Sequence, residues 1–403
     1  MSNATTITNR SGRLSDARPA EVPTRLPSRG LLGELEHPSD VFRHLGPNWY
    51  ASIMGTGIVA NAAMLLPAHL AALHSFALGV WVLAAALLLA LTLATAVHWL
   101  LYPEIARGHH RDPEMAPFYG APPMAMLTVG AGALLVGRDL SGLPAAITLD
   151  EILWTLGTVT GLASTIVIPY LMFTRFELER EHTLATWLMP IVPPMVSAAT
   201  GAALIAHLPA GQDRLAMLLC CYAMFGVSLL ASLVTITLLW GRLAYNGVGP
   251  AHTVPTLWIV LGPLGQSITA VSLLANAAPS VIPQPYAGAM QATAVLYGMP
   301  VWGFATVWLL LAATITLNTA RSHLPFSLTW WSFTFPVGTV VTGTSELALH
   351  THANLLIWTS VALYALLTGA WLTAAIGTAR GSLHGRLFLP APAPTLRSAP
   401  ATN

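Results

Sequence analysis

Apolar residues gather in ten runs: 47–67, 76–101, 115–137, 148–173, 183–207, 214–241, 256–278, 287–318, 328–349 and 353–378. Each run approaches or exceeds the roughly 20 residues that a helix needs to cross a hydrocarbon core. Backbone N–H and C=O groups in lipid must bond within their own segment, so runs of this kind fold as helices. The pattern therefore predicts an all-α integral membrane protein with ten transmembrane helices. Several runs lie close together, such as the fifth and sixth, and pair as helical hairpins.

The odd-numbered runs share a punctuation that the even ones lack. Pro123, Pro194, Pro263 and Pro336 recur at gaps of 71, 69 and 73 residues, and a step of 68 back from Pro123 reaches Gly55. An aromatic precedes each of these residues by five to seven positions: Trp49, Phe118, Trp187, Trp258 and Trp331. Seven positions after each stands a small residue: Ala62, Gly130, Gly201, Ala270 and Gly343. A fixed period of this length marks an internal repeat. The unit is a hairpin of one broken and one smooth helix, repeated five times. Breaks in a membrane helix are tolerated where they line a water-filled cavity. Gly55, Gly57, Pro123, Pro194, Pro263 and Pro336 are thus read as helix breaks around a central pore, with the even helices outside facing lipid. For any one of these residues, ordinary helix packing is an equally good explanation.

Composition narrows the class. Only 8% of the 403 residues are charged and 55% are hydrophobic, with a net charge of +1. A soluble domain carries about 25% charged residues, and a nucleic-acid binder needs a dense basic face. All 17 basic residues are Arg, and fifteen of them fall in the tails and connections on one side of a ten-span topology. Arg138 and Arg214 fall on the other. Such a bias places the Arg-rich side, with both termini, in the cytoplasm, and the lipid bilayer of the plasma membrane around the chain. Residues 1–40 and 381–403 read as disordered cytoplasmic tails flanking a transmembrane domain at 41–380. Cys220 and Cys221, adjacent in an apolar run, read as a buried structural pair.

Chemistry along the broken helices is neutral and polar. Ser52, Thr56, Thr128, Ser197, Thr200, Gln266, Ser267, Thr269, Thr334, Thr339 and Thr342 lie near the breaks. Hydroxyls and a carboxamide can donate to an anion, and helix N-termini add partial positive charge. Singly, each Ser or Thr is equally explained by a bond to its own preceding turn. Glu346, near the outer end of the ninth span, fits either an intramembrane coupling group or a rim residue in water, and its position favours the rim. His109 and His110 fall on one side and His350 and His352 on the other, so they read as scattered surface histidines with no metal site. No hydrolase or P-loop motif is present, and no cofactor is called for.

Several stretches carry a family resemblance. The segment Gly46-Pro47-Asn48-Trp49-Tyr50-Ala51-Ser52-Ile53-Met54-Gly55-Thr56-Gly57-Ile58 resembles the opening helix of the tellurite-resistance/dicarboxylate transporter family, also called the voltage-dependent or slow anion channel family. Its Met54–Ile58 core looks most like the malate-permease and sulfite-efflux arm. Trp330-Trp331-Ser332-Phe333-Thr334-Phe335-Pro336 is similar to the family's ninth-helix stretch. Pro113, Phe118, Gly120 and Pro123 are similar to its third helix, with Asp112 where the family has His. The resemblance spans roughly 45–380. It implies ten helices in five hairpins around a pore, a homotrimer, and transport of small anions such as malate, sulfite or other oxyanions, or chloride and nitrate. It also implies a ninth-helix phenylalanine that plugs the pore, placed at Phe335 with Phe333 as the alternative.

Overall fold

A computed structural model of the protein describes residues 31–67, 71–178, 181, 183–322 and 324–389, and among these the chain is helical throughout, without a strand. The α-helices are α1 (Ala51–Leu65), α2 (Ala71–Leu101), α3 (Pro103–Gly108), α4 (Ala121–Gly132), α5 (Arg138–Ser141) and α6 (Leu143–Thr174). They continue with α7 (Pro193–Leu204), α8 (Gln212–Asn246), α9 (Leu261–Ala277), α10 (Tyr286–Ser322), α11 (Phe335–Thr351) and α12 (Asn354–His384).

Seven helical segments are long and apolar enough to cross a membrane. Five are the single helices α2, α6, α8, α10 and α12; the other two, Ala116–Ser141 and Ala251–Ser280, contain α4 and α9. Helices α1, α7 and α11 have only 15, 12 and 17 residues. At 1.5 Å per residue, α7 rises about 18 Å, short of the roughly 30 Å hydrocarbon core. The physical reason is a change of helix type. Each odd-numbered apolar run begins as a 3₁₀ turn and then becomes α: Pro47–Tyr50 before α1, Ala116–Gly120 before α4, Ala185–Leu188 before α7, Ala251–Val260 before α9 and Leu328–Phe333 before α11. The five repeat aromatics Trp49, Phe118, Trp187, Trp258 and Trp331 all lie in these turns.

Burial sorts the helices into two kinds. In the five long single helices the most apolar window is 17–33% buried, but in Ala116–Ser141 and Ala251–Ser280 it is 78% and 94% buried. Nearly every residue of α1, α7 and α11 is also buried. Exposed Phe173, Leu230, Leu296, Leu310 and Trp358 on the long helices would be untenable in water and suit lipid. The buried helices pack in sequence, α1 on α4, α4 on α7, α7 on α9 and α9 on α11, and α11 returns to α1. Gly265 lets α9 and α11 touch backbone to backbone, since a Cβ there would fall 2.4 Å from the Thr339 carbonyl carbon and the Val340 nitrogen.

Each long helix also reaches the next buried helix along. The Trp81 indole of α2 donates to Val129 O of α4 (3.0 Å), and Trp154 of α6 donates to Ser197 O of α7 (2.9 Å). Trp302 of α10 donates to Thr344 Oγ1 of α11 (3.0 Å), and Trp371 of α12 donates to Thr56 Oγ1 of α1 (3.1 Å).

The near edges of the expected tails are folded. Leu32 N donates to Leu383 O (2.8 Å) and Glu34 N to His384 O (3.1 Å). Leu32, Leu35 and Leu387 close over Leu45, Trp49 and Phe388, the last two rings stacked at 5.0 Å. Apolar residues at 31, 32 and 35, spaced among charges, supply a docking face where composition alone suggested disorder. The remainder of both tails, 1–30 and 390–403, lies outside the described residues. The cysteines are not a buried pair either. Cys221 is buried and Cys220 exposed, because neighbours on a helix point about 100° apart.

Candidate functional site

The first turns of the five buried helices converge. A narrow cavity of about 30 Å³ is lined by Ala51 and Met54 of α1, Met124 of α4, Val192 beside α7, Ile259 and Gly262 at α9, and Phe335 and Pro336 of α11. Helix N-termini carry partial positive charge, so five of them around one space favour an anion without any fixed cation. A second cavity of about 110 Å³, the upper cavity, lies among the later turns of the same helices, lined by Asn61, Thr128, Thr200, Gln266, Thr269 and Thr342 together with apolar residues. No charged side chain lines either space.

One residue is common to the two linings, Phe335. It is the first residue of α11 and only 3% exposed. Thr334 holds the turn by donating its hydroxyl to Trp331 O (2.7 Å), and Pro336 follows where a missing N–H has no helical partner to lose. Phe333 lines neither cavity. Its ring packs edge-on to Trp258 (5.1 Å) and Trp330 (5.7 Å).

The breaks expected at proline and glycine take another form. Pro123 is the third residue of α4, Pro194 the second of α7, Pro263 the third of α9 and Pro336 the second of α11. Prolines in a first turn start helices and interrupt none. Helix α1 runs unbroken through Gly55 and Gly57. Those glycines serve contact, as a Cβ at Gly55 would fall 2.2 Å from Thr334 Oγ1 and one at Gly57 would fall 2.8 Å from Thr128 Cγ2.

Of the polar residues singled out, Thr128, Thr200, Gln266, Thr269 and Thr342 meet at the upper cavity. Ser52, Thr56, Ser197, Ser267 and Thr339 do not. Ser52 donates to Trp49 O (2.7 Å), Ser267 to Leu264 O (2.8 Å) and Thr339 to Pro336 O (2.7 Å). Thr56 accepts from Trp371, and Ser197 accepts from Thr158 (3.0 Å). Ser52 and Ser267 thus bond back onto their own turns, while Thr56, Ser197 and Thr339, which also reaches Leu261 O, tie helices together. Glu346 is 2% exposed and is not a rim residue in water. Its Oε2 accepts from Asn276 Nδ2 (3.1 Å), while its backbone carbonyl accepts from His350 Nδ1–H (2.9 Å).

Two residues escaped the sequence. Asn61 lies six positions beyond Gly55, donates to Thr128 O (3.0 Å) and leaves its Oδ1 without a partner. Asp150, on α6, is 0% exposed, and neither carboxylate oxygen has a partner. It is packed over Gly130 of α4. An acid eight residues into an apolar helix was the available signal. His109 and His110 are clustered, whereas His352 is an exposed surface residue. His98 and His109 stack at 5.4 Å, and His110 stacks on Tyr119 at 4.3 Å, all lining a crevice between α2, α4 and α6. Burial pushes His109 down to about 4, helped by the neighbouring His98, and also lowers His110 and His44. Among the described residues no group of three His, Cys, Asp or Glu could hold a metal.

Residues 44–379 match the voltage-dependent anion channel family. The chain belongs to that family. Among its relatives, an uncharacterized transporter of Methanocaldococcus jannaschii is 25% identical over 360 residues, covering 89% of this chain and 99% of the relative. The sulfite efflux pump SSU1 of Arthroderma otae is 28% identical over 307 residues, covering 75% of this chain and 81% of the pump. That of Candida albicans is 26% identical over 336 residues, covering 76% and 67%. This anion channel family member is thus a helical, multi-pass membrane protein of a transport family, similar along most of its length to sulfite efflux pumps.

Proposed function

We propose that the protein moves small oxyanions, sulfite foremost and malate-like dicarboxylates second, along the axis of its five buried helices. In this reading ten helices form five hairpin repeats around a central path, in the plasma membrane, with the Arg-rich side and both termini cytoplasmic and three chains per assembly. The observation that carries it is the position of Phe335 between two cavities, with the N-termini of α1, α4, α7, α9 and α11 around the first. Phe335 is the gate. A rotamer change at an aromatic ring is small, and opening a hydrophobic constriction rewets the path. The kinship to sulfite efflux pumps supports sulfite over malate. Chloride or nitrate conduction is the second reading, favoured by the absence of charged side chains from both cavity linings. Glu346, buried and held by Asn276, is the group for any proton coupling.

Flux into proteoliposomes tests the proposal. Purified protein should carry sulfite above protein-free liposomes, and Phe335→Ala should raise flux about tenfold, the effect of lowering a barrier by roughly 1.4 kcal/mol. Absence of flux for sulfite, malate, nitrate and chloride would sink the transport reading. Unchanged or lower flux in a folded Phe335→Ala protein would remove Phe335 as gate.

A further inference from the structure

The upper cavity is poor in hydrogen-bond donors. Thr128 donates its hydroxyl to Met124 O (2.7 Å) and Thr200 to Val196 O (2.9 Å). Thr269 is directed at Gly265 O (3.1 Å) and Thr342 at Thr339 O (3.0 Å), and the two hydroxyl oxygens lie 2.7 Å apart, so their protons also stay within the protein. Asn61 gives an N–H to Thr128 O. Gln266 is different. It is 5% exposed and lines the cavity, and its carboxamide makes no hydrogen bond among the described residues. Its N–H groups and the second N–H of Asn61 are the side-chain donors left to a ligand. Acceptors are plentiful: the lone pairs of four threonine oxygens and Gln266 Oε1.

A bare dianion fits this lining badly. It offers only acceptors, which would face threonine and amide oxygens, and its desolvation is not offset by any cation in the cavity lining. The self-energy of an ion in a low dielectric grows as the square of its charge, so a singly charged species is strongly preferred. A monoanion that also bears an O–H satisfies both halves of the lining. Its charged oxygen accepts from Gln266, and its hydroxyl donates to a threonine oxygen or Gln266 Oε1. We infer that the upper cavity selects singly protonated oxyanions, hydrogensulfite rather than sulfite dianion, with Gln266 fixing this preference because its carboxamide offers an O–H-bearing anion both an N–H donor and the Oε1 acceptor, and offers any other anion the N–H alone. The inference rests on the transport reading above and names the form of the substrate that crosses.

The full chain in liposomes, with equal pH on both faces, separates the two. Initial fluxes of sulfite and nitrate are measured from alkaline to mildly acidic pH, each corrected for protein-free liposomes. Nitrate is the comparison because it is a monoanion without O–H and does not change its protonation over that range. Sulfite flux at fixed total concentration should rise with the hydrogensulfite fraction while nitrate flux stays level. Gln266→Leu should lower the hydrogensulfite-to-nitrate flux ratio about tenfold, the weight of one hydrogen bond to a charged group, and Gln266→Asn should restore part of it. The ratio is internal to each preparation, so poor yield of a variant does not alter it. Sulfite flux that ignores pH or follows the dianion overturns the inference while leaving transport intact. A ratio untouched by Gln266→Leu removes Gln266 from selection. No flux of either anion at any pH overturns the transport reading itself.

Discussion

Asp150 shows what a single residue can hide in an apolar helix. Its carboxyl is fully enclosed between α6 and α4 without a hydrogen-bond partner. A buried unpaired charge is far more costly than a buried neutral group, so the carboxamide isostere should be the better occupant. Asp150→Asn is expected to raise stability by about 1 kcal/mol, read as a higher melting temperature in detergent. A lower melting temperature would mean the carboxylate has a partner in the membrane. His109 works in the opposite direction. Burial and the adjacent His98 hold it down at about 4, against about 6.5 in an unfolded chain. The unfolded state therefore binds more protons between these values, and stability falls as pH drops from about 6.5 toward about 4, with no slope from this group above that window. Of the groups around it, His98, His110 and His44 push it down and Asp112 pulls it up. Melts across that range should be steeper for the wild type than for His109→Asn; parallel curves would remove His109 as the source. Neither residue's role was legible in sequence. Burial of one polar atom depends on which side of the helix faces a neighbour, and α6 is apolar on every side.

At the scale of elements, the sequence spoke through its prolines and aromatics. Their period marked the five segments that the structure buries, because the recurring prolines stand in the first turns of α-helices and the aromatics fill the 3₁₀ turns just before them, whereas Pro169 and Pro300 inside α6 and α10 fall outside that period. The change of helix type was invisible. A 3₁₀ turn and an α-turn differ by one residue in hydrogen-bond spacing, and an apolar run satisfies either. Also invisible were the indole bonds from α2, α6, α10 and α12 to the next buried helix, since tryptophan in a lipid-facing helix reads simply as apolar. Trp154→Phe keeps the ring and removes the donation to Ser197 O. It should cost about 0.6–1.7 kcal/mol, the measured range for a side-chain hydrogen bond in a membrane bundle. Unfolding in mixed micelles reads this out, and a loss near zero would assign the indole to packing alone.

For the molecule as a whole, composition and arginine placement were enough to fix a helical membrane protein, and the period was enough to single out its inner helices. What they could not give was closure. That α11 lies against α1, and that Tyr364 and Trp371 of α12 reach Val59 O and Thr56 on α1, joins residues more than 300 positions apart. No local pattern encodes such a pairing. Division of the chain between Ala210 and Gly211, both exposed in the connection from α7 to α8, should therefore leave two fragments inactive in flux when expressed singly. Co-expression should restore flux, since packing, not the peptide link, joins the halves. Flux from 1–210 alone would show that the remaining helices are dispensable. The same closure bears on how the protein is made. While α11 and α12 are still in the ribosome, α1 has lipid or translocon where its last neighbours belong, and any path along the axis lacks a wall. In the transport reading proposed above, a working path is accordingly assembled only once the final hairpin has been inserted.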